Sequence, residues 1–169
     1  MNTPPAKHVV PLTSIEGESM EEKKLLLDLA AQALEFVRTF SWCGGLREQY
    51  FGNGVGGIIG IFLVRISPVS TDVDEWLWIV VGDVPPAYLV LDDAKTPSEA
   101  LSAYISEMSR WVDAVEKGET IADLIPVNAP PTSEYAALLH RRLKMLEEDL
   151  LPQFRDDERF TEEACPKPN

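Results

Sequence analysis

The run WLWIVVGDVPPAYLVL, Trp76 to Leu91, is the densest apolar stretch of the chain, interrupted only between Gly82 and Pro86. Pro85 and Pro86 have no backbone N–H to give a sheet ladder, so they belong to a bend. The flanking segments are rich in branched and aromatic residues, which fit a pleated surface, and read as strands over 76–81 and 87–91. Five intervening residues suit a hairpin connection. Asp83 after Gly82 is ordinary turn chemistry, a short carboxylate accepting local N–H bonds. Both strands are apolar throughout rather than alternating. That predicts cover on parts of both faces, by helices, by the N-terminal arm or by a partner.

Outward from this hairpin, IIGIFLVRI at 58–66 reads as a preceding strand, in which Gly60 suits a bulge or the close approach of a helix. Pro68 and the acidic STDVDE at 70–75 make the turn between them. Residues 41–57, SWCGGLREQYFGNGVGG, read as a glycine-rich connection. Before it, Ser19-x-x-Glu22 is a capping box in which the Ser oxygen accepts an early helix N–H and Glu22 returns to Ser19. Leu26, Leu29, Ala30, Ala33, Phe36, Val37 and Phe40 follow at helical spacing, with Gly44-Gly45 as the stop.

After the hairpin, Thr96 as N-cap, Pro97 at the first helical position and Glu99 three residues on open a second helix. Its stripe is Leu101, Tyr104, Ile105, Met108, Trp111, Val112 and Val115, and Gly118 stops it. A third helix is capped by Thr132 or Ser133, buries Leu138, Leu139, Leu143, Leu146 and Leu150, and ends near Pro152. Residues 1–18 form an arm that is loose or laid over the surface, and 153–169 a polar tail. The predicted order is α-β-β-β-α-α in a single α+β domain over 19–152. Its centre is a three-stranded antiparallel meander with helices packed mainly on one face.

Composition bounds what such a domain does. The 169 residues are 45% hydrophobic and 25% charged, which excludes wholesale disorder. No apolar run reaches the roughly 20 residues that span a bilayer, and the N-terminus lacks the apolar stretch of a secretory signal, so a cytoplasmic protein is expected. Cys43 and Cys165 form no metal-binding or disulfide pattern, and Cys43 reads as a free thiol. Net charge is −13, and residues 66–123 concentrate it with 12 acids against 3 bases. Nucleic acid and anionic membranes are disfavoured partners, because both demand Lys and Arg on the surface. A basic protein or a cation would be attracted.

Catalytic signals are sparse. Gly52-Asn53-Gly54-Val55-Gly56-Gly57 matches the letters of the dinucleotide fingerprint, but a strand rather than a helix follows it, so no nucleotide cofactor is expected. The histidines are His8 in the arm and His140 at the edge of the third helix's buried face, and a Cys43–His140 pair lacks any nucleophile motif. The acids at Asp72-Asp74-Glu75, Asp83 and Asp92-Asp93 do not follow the calcium-loop order. Of the tryptophans, Trp76 and Trp78 share a strand face that Trp111 can cover, which is core packing. Trp42, beside Arg47, Tyr50 and Phe51, is the aromatic left for a ligand or peptide. The exposed turn acids Asp72, Asp74, Glu75 and Asp83 are the candidates to face a partner.

The segments EWLWIVVGDVPPAYLVLDDAKTPSEALSAYISEMSRWVDAV and LIPVNAPPTSEYAALLHRRL resemble a family of small bacterial proteins of unknown function. The resemblance covers about half of the chain and implies a bacterial cytosolic protein, without site residues. The expected function is therefore non-enzymatic binding through an acidic surface, an immunity-like inhibitor of a basic protein being one concrete form. The alternative is an enzyme or small-ligand binder using a cleft near residues 42–54.

Overall fold

Residues 59–66 are all buried except Arg65, and alternate side chains of a strand point to opposite faces, so this strand is covered on both sides. The computed structural model describes the backbone of residues 3–164 and the side chains of residues 3–161 other than Asp93. Cys165 lies outside the described residues. Five strands, β1 (Val10–Pro11), β2 (Cys43–Val55), β3 (Ile59–Pro68), β4 (Trp76–Gly82) and β5 (Ala87–Val90), form one antiparallel sheet in sequence order. The helices are α1 (Met20–Arg38), α2 (Pro97–Lys117), α3 (Ser133–Met145) and α4 (Leu151–Ala164), the last two joined by a π-helical segment, Leu146–Leu150.

The sheet separates two cores. On one face Ile61, Leu63, Trp78, Val80 and Leu89 meet Leu101, Tyr104, Met108 and Trp111 of α2, with Leu139, Leu143, Leu146 and Phe154 behind them. On the other, Phe62, Val64, Leu77, Ile79 and Val81 meet Leu26, Leu29, Ala33 and Val37 of α1, and Ile15 of the arm seals the edge. Trp76, Trp78 and Trp111 gather on the α2 face.

The α+β class stands, and the detail differs in three ways. The sheet has five strands rather than three, the order is β-α-β-β-β-β-α-α-α, and α1 covers the face opposite the other helices. The missed strand β2 runs through the residues read as a glycine-rich connection. Its glycines make room for neighbours: a Cβ on Gly52 would lie 2.9 Å from Pro97 Cγ and 3.0 Å from the Ile61 carbonyl oxygen. Irregular register at Cys43/Leu46, Leu46/Glu48 and Phe51/Asn53 also breaks the two-residue period by which a strand is recognised. Helix α1 ends at Arg38 with Thr39 as its cap, and Gly44 and Gly45 lie within β2.

Both capping boxes are half reciprocal. Ser19 Oγ accepts from Glu22 N–H at 3.1 Å, but the Glu22 carboxylate accepts from Gly56 N–H at 2.8 Å, tying α1 to the β2–β3 turn. Thr96 Oγ1 accepts from Glu99 N–H, whereas the Glu99 carboxylate accepts from Lys95 N–H at 2.7 Å. Gly118 closes α2 in the left-handed conformation, at φ 69°.

The third helix does not stop at Pro152. Proline cannot donate to the carbonyl four residues back, and just before it the Leu151 N–H reaches Leu146 O, one residue further than an α-helical bond. The wider turn carries the helix past the proline, and Leu150, Leu151 and Phe154 keep it on the core. One turn beyond Phe154, Glu158 accepts from Ser98 N–H at 2.8 Å and from Ser98 Oγ at 2.6 Å, fastening α4 to the start of α2.

Candidate functional site

Strand β5 is the last of the sheet and pairs only with β4. Its free side borders a groove of about 830 Å³. Phe36, Thr39 and Phe40, at and just beyond the end of α1, form one wall, and Ile125 to Asn128 of the α2–α3 connection form the other, with Glu107 beside them. The β5 residues supply the floor. Glu107 is paired with Arg110 at 3.6 Å.

The α1-side wall is aromatic. Phe40 stacks on Trp42 with ring centroids 4.7 Å apart and planes 15° from parallel, and Phe36 meets Phe40 edge-on at 5.1 Å. Tyr88 closes the cluster at 5.2 Å from Phe40 and 5.1 Å from Trp42. All four rings are half-buried. Beyond Tyr88 the surface dips again into a smaller depression of about 190 Å³, lined by Trp42, Asp72, Val73, Asp74, Leu77, Tyr88 and Val90. Asp72 and Asp74 thus stand at one end of the β5 edge, and among the described residues no salt bridge joins either to a cation.

The other expected site residues do not join them. Tyr50 and Phe51 are adjacent on β2 and therefore face opposite sides of the sheet: Tyr50 lies 6.0 Å from Trp76, and Phe51 lies 5.7 Å from Phe62 on the α1 side. Arg47 pairs with Glu75 at 3.2 Å. Glu75 is also held at 2.8 Å by Arg65, whose guanidinium reaches Glu48 at 2.8 Å and sits 5.7 Å from the Trp76 ring centroid. The Arg65 hydrogen bond, then that of the Tyr50 hydroxyl, holds the Glu48 carboxyl below its ordinary range. Burial, then Glu48, pushes the Tyr50 hydroxyl up. These groups form a satisfied ion network on the sheet.

The bend at 82–86 is tied into the fold. Asp83 N–H donates to Ile58 O at 2.8 Å, the Asp83 carboxylate pairs with Arg142, and buried Tyr104 donates its hydroxyl to Pro85 O at 2.6 Å. Burial pushes the Tyr104 hydroxyl well above the ordinary tyrosine value. Asp83 lies at the opposite end of β4 from Asp72 and Asp74, roughly 20 Å away at the rise of a strand. A hollow of about 380 Å³ between this bend and α3 shares Pro86 and Asn128 with the β5 groove, and Leu138, 53% exposed, lines it.

Cys43 packs against the α1-side core, whereas α3, which carries His140, packs on the other. Among the described residues no three His, Cys, Asp or Glu side chains gather where they could hold a metal ion. The fingerprint glycines lie at the end of β2 and in its turn to β3, with no helix after them. No described helix is long and apolar enough to cross a membrane.

Of the site residues proposed from sequence, the structure brings Trp42, Asp72 and Asp74 together. Phe36, Phe40, Tyr88 and the 125–128 wall were missed. Their one signal is Ile125 and Val127, apolar residues in an irregular connection that no helix or strand period explains. Comparison with protein-family models, with curated proteins and with solved structures finds no match to this chain.

Proposed function

We propose that the protein is a non-enzymatic interaction protein that binds a basic protein partner at the acid-tipped, aromatic-walled groove beside β5. The observation that carries this reading is the pairing state of the acids. Glu75 and Asp83 are neutralised by arginines, whereas Asp72 and Asp74 stand exposed and without a salt bridge among the described residues, next to half-buried Trp42 and Tyr88. Unneutralised carboxylates beside apolar surface favour a partner that brings both cations and apolar side chains. The net charge of −13 acts in the same direction at longer range. An immunity-like inhibitor covering a basic toxin is one form of this activity. A bacterial, cytoplasmic setting for it is part of the same proposal.

The test is affinity capture from the native host with the wild-type chain and with the double reversal Asp72→Lys/Asp74→Lys. A basic protein should be retained by the first, lost by the second, and released as salt rises, since exposed charges are screened over roughly 10 Å at 0.1 M. Identical captures by both chains would overturn the reading. A second reading, an enzyme or small-ligand binder, rests on the groove's volume of about 830 Å³, within the range of small-molecule sites. It shifts the cleft from residues 42–54 to the β5 edge, where only Trp42 of that stretch is near.

A further inference from the structure

We propose that the outer edge of β5 receives an extended segment of the partner as a sixth strand, with alternating apolar side chains and Lys or Arg at the end that reaches Asp72 and Asp74. This rests on the reading of the protein as a binder of basic proteins and adds how the partner is held.

The backbone register supports it. Ile66 N–H donates to Glu75 O, and Asp83 N–H donates to Ile58 O, both at 2.8 Å, which marks Ile66/Glu75 and Ile58/Asp83 as bonded pairs. Bonded and non-bonded pairs alternate along an antiparallel ladder, so Phe62/Ile79 is also bonded and Ile79 spends its backbone groups on β3. Trp78 and Val80 then turn theirs toward β5, opposite Leu89 and Ala87. The Tyr88 N–H and C=O, and the Val90 N–H, are left facing outward into the groove.

An added strand would find cover on both faces. Side chains on one side would meet Phe36 and Phe40, and alternate ones would meet Ile125 and Val127. Charge selects the occupant. The acids at the Val90 end, Asp72 and Asp74, would pair with cations of the incoming strand, whereas a second copy of this chain would bring another −13.

The experiment selects twelve-residue peptides from a random library on the full chain and then measures the best binder by calorimetry. Expected are peptides with apolar residues at alternate positions and Lys or Arg at one end. Methylating alternate backbone nitrogens of the peptide should weaken binding at least tenfold in one register and little in the other. Hydrogen exchange should slow at Tyr88 and Val90. Recovery of no peptide, indifference to N-methylation in both registers, or protection confined to other amides would overturn strand addition. Sedimentation showing a dimer through this edge would overturn it in favour of a second copy. The two readings separate on Asp72→Lys/Asp74→Lys. Binding that survives the reversal yet needs the backbone N–H groups sinks the basic partner and keeps the strand, and the converse does the opposite.

Discussion

The two faces of the sheet are built for different ends. Under α2, α3 and α4 lie Trp78, Trp111, Tyr104 and Phe154, each at most 1% exposed. The Trp78 indole N–H donates inside to Ala94 O at 3.0 Å, and the Tyr104 hydroxyl donates to Pro85 O. Under α1 the aromatics at the β5 end are only half-buried, and their rings contact one another as well as the buried core beneath them. One face is sealed, and its large rings hold the fold. The other frays at one corner into the groove, where the rings remain accessible.

Three substitutions can break or sharpen that contrast. Trp78→Ala should destabilise the protein most, by about 3–5 kcal/mol, because it opens a cavity in a core that α2 cannot collapse into. Phe40→Ala should cost about 1–2 kcal/mol, as a half-exposed ring has less transfer free energy to lose. Urea denaturation of both variants checks this, and equal losses would erase the distinction between the faces. Between the two in size is Tyr104→Phe, which leaves the buried Pro85 carbonyl without its donor at a cost of about 1–3 kcal/mol. Its expected signature is a lowered urea midpoint with an unchanged slope.

The smallest effect concerns the Arg65 network. Glu48 titrates below its unfolded value of about 4.3, so its stabilisation is fully present above that pH and is lost as pH falls through the lower folded value. Thermal melts from pH 2 to 6 should show a shallower acid decline in Glu48→Gln than in wild type. Solvent screening keeps the difference slight.

The parts legible in the sequence were those where one local signal had one meaning. Pro85-Pro86 between apolar runs could only bend, and Thr96-Pro97 opened α2 as expected. The unreadable parts carried signals with two meanings. Glycines at 52 and 54 spell a loop in sequence, but in the fold they are places where Pro97 and Leu26 press on a strand. Pro152 spells a stop, and a π turn carries the helix through it. At the site, alternation alone could have separated Tyr50 from Phe51, had β2 been recognised as a strand. The groove could not be read at all. Its walls come from 36–40, 86–90 and 125–128, and only tertiary packing brings these together.

The clasp between Glu158 and Ser98 has a consequence in time as well as space. The Ser98 N–H and hydroxyl at the mouth of α2 wait for a carboxylate that lies 60 residues further along the chain. A ribosome adds roughly 5–20 residues per second, so α2 exists for several seconds before its clasp is synthesised. During that interval the sheet, α1 and α2 are already made, while Phe154 and Glu158 are not. The chain therefore carries an open flank along α2 until α4 emerges, and α4 is the piece that shuts it.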